Sequence, residues 1–186
     1  MNLKLNKNQI EKFSRQIVLK NIGMLGQKKI IQSKVLIIGM GGLGCPVAEF
    51  LTRAGVGDLG IIDSDNVDLS NIHRQSLYDI EDLKKPKVKA ALKKLRKINP
   101  KTKVTCFKVR LNKNNFQQII KNYDYIVDGS DNFKTKFLIN DFSLKSKVKI
   151  CPSILLIAPK IKIFLYFKEY SFNKNLVLKL SDPSTI

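Results

Sequence analysis

The chain has no tryptophan, one histidine, three cysteines and less than half as many acidic as basic residues, and each shortage removes a class of function. Cys45, Cys106 and Cys151 stand singly, without a C-x-x-C pair or an even framework of partners. With one histidine they cannot supply the four ligands of a structural metal site at motif spacing, so zinc is predicted absent. They read as buried or half-buried thiols, and no motif around Cys151 marks it as a nucleophile. His73 has no evident base or nucleophile beside it and reads as a loop residue. No apolar run reaches the ~18 residues needed to span a bilayer, and residues 1–20 are too polar for a signal peptide. A cytoplasmic protein with no membrane partner is expected.

The charge is lopsided, with 34 basic against 15 acidic residues and a formal net charge of +19. Arginine occurs only at Arg15, Arg53, Arg74, Arg96 and Arg110, so most of the excess is lysine in a chain rich in Ile and Asn, the bias of an AT-rich genome. The lysines are dispersed, without the interleaved aromatics on which bases stack. Nucleic acid is therefore not the expected partner; an acidic protein or a polyphosphate suits the charge better.

What is present is enough for a core: 186 residues, 44% of them hydrophobic, most simply in one domain. Helical spacing appears over 9–20 and 25–31. A β-branched run at 34–38 ends in glycines, and a helix over 47–54 follows, closed by Gly55 and Gly57. Strands at 59–62, 103–109 and 125–127 then alternate with helices at 87–98, 115–122 and 133–145. That alternation predicts an α/β, Rossmann-like doubly wound, mostly parallel sheet behind N-terminal helices. Apolar runs at 148–156, 161–167 and 176–180 predict a β-rich, antiparallel C-terminal segment, with 152–159 the natural seam.

Gly39, Gly41 and Gly44 form G-x-G-x-x-G, with Gly42 between them, directly after a strand and opening a helix. Backbone N–H groups and the helix dipole can meet phosphate there. Asp63, 19 residues beyond Gly44 at the end of the next strand, can accept hydrogen bonds from ribose hydroxyls. These features alone leave NAD, FAD and ATP open.

Further stretches carry a resemblance. They run from Phe13-Ser-Arg-Gln through the glycine motif, the Ala54-Gly-Val-Gly-Asp-Leu and Asp63-Ser-Asp-Asn-Val stretches, Leu69-Ser-Asn-Ile-His-Arg-Gln and Lys85-Pro-Lys-Val to Asp128-Gly-Ser-Asp-Asn-Phe. In this order the chain resembles the ThiF/MoeB/HesA adenylyltransferases, relatives of the ubiquitin-activating enzymes, over about its first three quarters. The resemblance implies a single ATP-binding domain over 1–186, with helices at 1–33, a core at 34–150 and a short tail at 151–186. It implies that the C-terminal Gly-Gly carboxylate of a ubiquitin-like β-grasp sulfur carrier, of the thiamine or molybdopterin kind, attacks the α-phosphate of ATP. The products are an acyl-adenylate and pyrophosphate. By the same resemblance Arg74 and Lys87 contact the phosphates, Ser70 and Asn71 help to position them, and Asp131 holds Mg²⁺ beside Asn132. Asp63 binds ribose, Gly42 lets the backbone approach the nucleotide, and Arg15 reaches the neighbouring site of a homodimer. Read without the resemblance, Arg74 and Lys87 could be surface charges, and Asp131 and Asn132 a helix cap.

The pattern departs from the family after residue 150. The crossover loop, the two zinc-binding C-x-x-C pairs and the sulfur-accepting cysteine of full-length members have no counterpart in 151–186, so a shortened enzyme is expected. Three readings follow: an adenylyltransferase, an impaired or truncated ATP-binding partner subunit of the same family, and an NAD- or FAD-dependent oxidoreductase resting on the glycines and Asp63 alone.

Overall fold

The computed structural model describes residues 4–143 and 149–152. Its centre is the strand β1 (Lys34–Ile38), whose last four residues are all buried, as expected of a strand covered on both faces. It pairs in parallel with β2 (Asp58–Ile62) on one side and with β4 (Tyr125–Asp128) on the other. Outside these lie β3 (Lys103–Phe107) and β5 (Lys149–Pro152), also parallel, giving the order β3-β2-β1-β4-β5. In the register, Leu36 faces Gly60 on one neighbour and Ile126 on the other.

Alternation along β1 divides the core in two. Val35 and Ile37, with Leu59, Ile61 and Val127, pack against α4 (Gly44–Ala54) and α6 (Lys87–Ile98) through Cys45, Ala48, Val88, Ala91 and Leu95. Leu36 and Ile38, with Ile62 and Ile126, pack against α7 (Lys113–Ile120) and α8 (Phe133–Ser143) through Phe116, Ile120 and Ile139. The chain winds one way from β1 to β2 and β3, then returns to the other side for β4. The carboxyl ends of β1 and β4 therefore flank a topological switch point, where an open α/β sheet forms a crevice.

The doubly wound, parallel architecture matches the expectation, with local differences. The periodic stretch 9–20 is two helices, α1 (Lys7–Lys12) and α2 (Ser14–Ile17). Asn6 and Gln9 cap the first reciprocally, and the chain then turns so that Phe13 lies over Gly55, where an added Cβ would sit 2.5 Å from the ring. The third helix, α3, spans Gly23–Gln32. Gly55, at φ 93°, closes α4 in the left-handed conformation, as its place after the helix implied. β3 ends two residues early, and α7 begins two early because Asn112 and Asn115 form a capping box. A short helix α5 (Leu69–Ile72) and a 3₁₀ turn (Ile80–Asp82), both unforeseen, occupy the long connection before α6. The antiparallel expectation fails at its first strand, since β5 pairs in parallel with β4 from Tyr125 opposite Lys149 onward. Expectations for 144–148 and for 153–186, including the strands at 161–167 and 176–180 and most of the seam, lie outside the described residues. Among the described residues no helix is long and apolar enough to cross a membrane.

Candidate functional site

The glycine turn begins where β1 ends. Gly39 donates its N–H to the Ile62 carbonyl (2.8 Å) and Gly129 donates to the Ile38 carbonyl (2.8 Å), so three strand ends are laced together. Gly39 has φ 87°, and a Cβ on it would stand 2.9 Å from the Gly129 oxygen. A Cβ on Gly44 would fall 1.8 Å from the Gly39 oxygen. These two glycines answer to packing. Gly41 and Gly42 do not: a Cβ on Gly41 would meet only the Gln75 amide at 4.0 Å, and one on Gly42 would touch Arg74 at an ordinary 3.6 Å. The motif thus holds two glycines that close the turn and two whose packing would admit a side chain, Gly41 on nearly open surface and Gly42 beside Arg74.

The expected side chains gather around this turn from separate elements. Asp63, at the end of β2, accepts the Met40 N–H on Oδ2 (2.8 Å) and the Asp65 N–H on Oδ1 (2.8 Å). Each oxygen keeps a lone pair for a further donor. Arg74 lies beside Gly42, its guanidinium donating to the Ser70 carbonyl (2.9 Å) and to Asn71 Oδ1 (2.8 Å), with His73 Nε2 at 3.4 Å. Asp68 caps α5 by accepting both the N–H and the hydroxyl of Ser70, and those bonds hold its carboxyl below the usual range. Ser70 and Asn71 are thus the frame that orients Arg74.

Lys87 is buried, which excludes a solvated helix face. Its ammonium is 3.4 Å from Asp65 Oδ2, and its N–H donates to the Asp65 carbonyl (3.0 Å). Pro86 supplies the bend that brings it there, bridging to Asn66 as α6 begins. Asp131 is exposed, two residues beyond Gly129. The capping role falls to Asn132 alone, whose Oδ1 accepts the Lys134 N–H (2.8 Å). Arg15 is not gathered with the rest. Phe13 pins its segment to Gly55, at the far end of the 11-residue α4, about 16 Å along the helix axis from Gly44.

The charges here are not equivalent. Lys87 pairs with Asp65, Lys94 with Asp79, Lys136 with Asp128 and Arg53 with Glu49. Arg74 is held by a carbonyl, an amide and an imidazole, and among the described residues it has no carboxylate partner. Its positive charge is positioned without being neutralised. Residues that the sequence did not mark also belong here. Asp128, at the end of β4 as Asp63 is at the end of β2, is buried and accepts the Ser130 N–H and hydroxyl and the Lys136 ammonium. The matching position at a strand end was the available signal. Behind the turn, Cys45 and Tyr78 are buried together, and desolvation raises both, the thiol to about 11.

Sheet order, switch point and glycine turn define a Rossmann-like α/β domain. The family follows from comparison: the chain belongs to the ThiF family, which matches it over residues 13–157. It is 41% identical over 139 residues to the sulfur carrier protein adenylyltransferase of Thermus thermophilus, covering 75% of this chain and 51% of that protein. It is 38% identical over 156 residues to the probable molybdopterin-synthase adenylyltransferase of Porphyra purpurea, covering 83% of this chain and 41% of that one. Its fold is shared with the E. coli tRNA N6-threonylcarbamoyladenosine dehydratase TcdA, solved with ATP, at a TM-score of 0.74 and 23% identity, over 81% of this chain and 61% of that chain. The chain spans about half, or less, of the length of the curated relatives it matches.

Proposed function

We propose that the crevice at the switch point takes Mg·ATP and that the chain adenylates the C-terminal Gly-Gly carboxylate of a ubiquitin-like sulfur-carrier protein. The observation that carries the nucleotide reading is Arg74: its aliphatic stem lies beside Gly42, and its guanidinium, fixed by a carbonyl and an amide oxygen, keeps full charge and unused donors for an anion. The relatives named adenylyltransferases support adenylyl transfer, and one of them names a sulfur carrier as its substrate.

The reaction joins two anions. A carboxylate oxygen attacks the α-phosphorus, the bond to the bridging oxygen breaks, and pyrophosphate leaves with the electron pair. The difficulty is charge, which fixed positive groups in a dry crevice offset best. In this reading the backbone of Gly41 and Gly42 lies along the phosphates, Arg74 and Lys87 meet the developing negative charge, and Asp63 accepts from the ribose hydroxyls with its remaining lone pairs. Magnesium commonly takes one or two protein carboxylates and fills its sphere with phosphate oxygens and water. Asp131 fits that demand as an exposed carboxylate beside the turn, whereas Asp128 is committed to Lys136 and Ser130. Bound there, the ion would withdraw charge from the leaving pyrophosphate. Arg15, set on the far end of α4, serves a neighbouring copy in a homodimer.

The test is exchange of labelled pyrophosphate into ATP, with and without a small β-grasp protein ending in Gly-Gly. Carrier-dependent exchange that Arg74→Ala abolishes is the expected result. No exchange with carriers of either the thiamine or the molybdopterin kind, with Arg74→Ala indistinguishable from the parent, would defeat the proposal.

A further inference from the structure

We infer that Tyr78, seconded by Cys45, is a positioning residue that fixes the Met40–Gly41 peptide so that the Gly41 N–H faces the crevice and locates the polyphosphate. The inference rests on the nucleotide reading above and names a residue that reading did not use. The Tyr78 hydroxyl donates to the Met40 carbonyl (2.9 Å), and the Cys45 thiol donates to the same oxygen (3.4 Å). A carbonyl oxygen has two lone pairs, so this one is fully engaged on its inner side. Both donors are buried in the core behind the turn, with Leu77 and Val88. The peptide bonds are trans, and in a trans peptide the N–H points opposite to the C=O. Anchoring the Met40 carbonyl inward therefore drives the Gly41 N–H outward.

Two backbone groups flanking the Gly41 N–H are occupied. The Met40 N–H goes to Asp63, and the Gly41 carbonyl accepts the Cys45 N–H (3.0 Å). The Gly41 N–H makes no hydrogen bond among the described residues, on a surface where no Cβ intervenes. The segment that carries Tyr78 also carries Arg74, four residues earlier. That segment thus grips the turn from both sides, with the stem of Arg74 beside Gly42 outside and the phenol against Met40 inside. The raised thiol and phenol keep both groups protonated, hence donors, at neutral pH.

The test is calorimetric titration of the full chain and its Tyr78→Phe variant with adenosine, AMP, ADP and Mg·ATP. Losing one hydrogen bond that orients a charged contact should weaken ADP and Mg·ATP about fivefold to tenfold. Adenosine should bind the two proteins alike, because only phosphates meet Gly41. A purely structural role would weaken adenosine and ATP together. Cys45→Ala, which removes the second donor, should show the same split at smaller size, and it decides the matter if Tyr78→Phe does not fold. Equal loss across the series, or no loss, overturns the positioning role. A parent chain that binds no phosphorylated nucleotide overturns the nucleotide reading itself, and the inference with it.

Discussion

Substituting alanine at Gly42 and at Gly44 separates the two tasks assigned to the glycine turn. At Gly42 the new methyl would rest 3.6 to 3.7 Å from Arg74 Cγ, Cδ and O, which is van der Waals contact, and Gly42 is not among the glycines of positive φ. The stability change should lie within about 0.5 kcal/mol, or be a gain of up to about 1 kcal/mol from the stiffer unfolded chain. At Gly44 the methyl would lie 1.8 Å from the Gly39 oxygen, a backbone atom, against about 3.2 Å for a tolerable contact. Something must move by roughly 1.4 Å. Overpacking on that scale costs about 3 kcal/mol, or 6–12 °C of melting temperature for a domain of this size.

Binding should follow a different order. A methyl on Gly42 occupies the face along which phosphate is proposed to lie, so Mg·ATP affinity should fall at least about tenfold in a protein that melts like its parent. Thermal melts and calorimetric titration of both variants suffice. A Gly42→Ala chain that binds Mg·ATP as tightly as the parent would refute the close approach of phosphate to this backbone. A Gly44→Ala chain that melts normally would refute the geometry of the turn.

Arg74→Lys keeps the charge but loses the fork that bonds both Ser70 and Asn71, so Mg·ATP affinity should drop about tenfold with the melting temperature held within about 2 °C; unchanged binding would remove Arg74 from the site. Alkaline pH should destabilise the fold. The Cys45 thiol ionises at about 11 when folded and near 9 when unfolded, so from pH 9 to 11 the unfolded chain releases the proton first, and the stability present below pH 9 drains away as pH rises. Urea melts at pH 8 and pH 10.5 check this, and Cys45→Ala should flatten the slope in that window.

The sheet was legible because its strands are short apolar runs separated by helices, and they survive as strands in the structure, buried in β1, β2 and β4 and half-buried in β3. The glycine motif was legible as a turn, but not as a division of labour. The atoms that forbid a side chain at Gly39 belong to Gly129 and Ser130, 90 or more positions along the chain. The first helix was misread as one element for a similar reason: 9–20 has continuous apolar spacing, and what breaks it is a distant glycine that receives the Phe13 ring. β5 was misread because a short apolar run does not announce the direction of its partner. Lys87 was ambiguous in a helix full of lysines, and only the fold shows that its ammonium is buried against Asp65.

The lysine excess that dominates the composition is largely beside the point at the crevice. Surface lysines raise the field around the molecule, which salt screens over roughly 8 Å, and they cannot orient a triphosphate. What the crevice requires is a charge held in place and left unpaired, which composition does not report. The lysines beside it each have a carboxylate, Lys136 with Asp128 at 3.0 Å and Lys87 with Asp65 at 3.4 Å, so the charge that Lys87 brings to the phosphates is offset in part. Arg74 differs because its guanidinium is fixed by a carbonyl and an amide oxygen, so the framework spends hydrogen bonds on its orientation while leaving its charge for something outside the protein. A guanidinium kept only for packing would more simply be paired, as Arg53 is with Glu49. The contrast between those two arginines, one neutralised on a helix surface and the other kept charged beside the glycine turn, is what the proposed binding of an anion rests on.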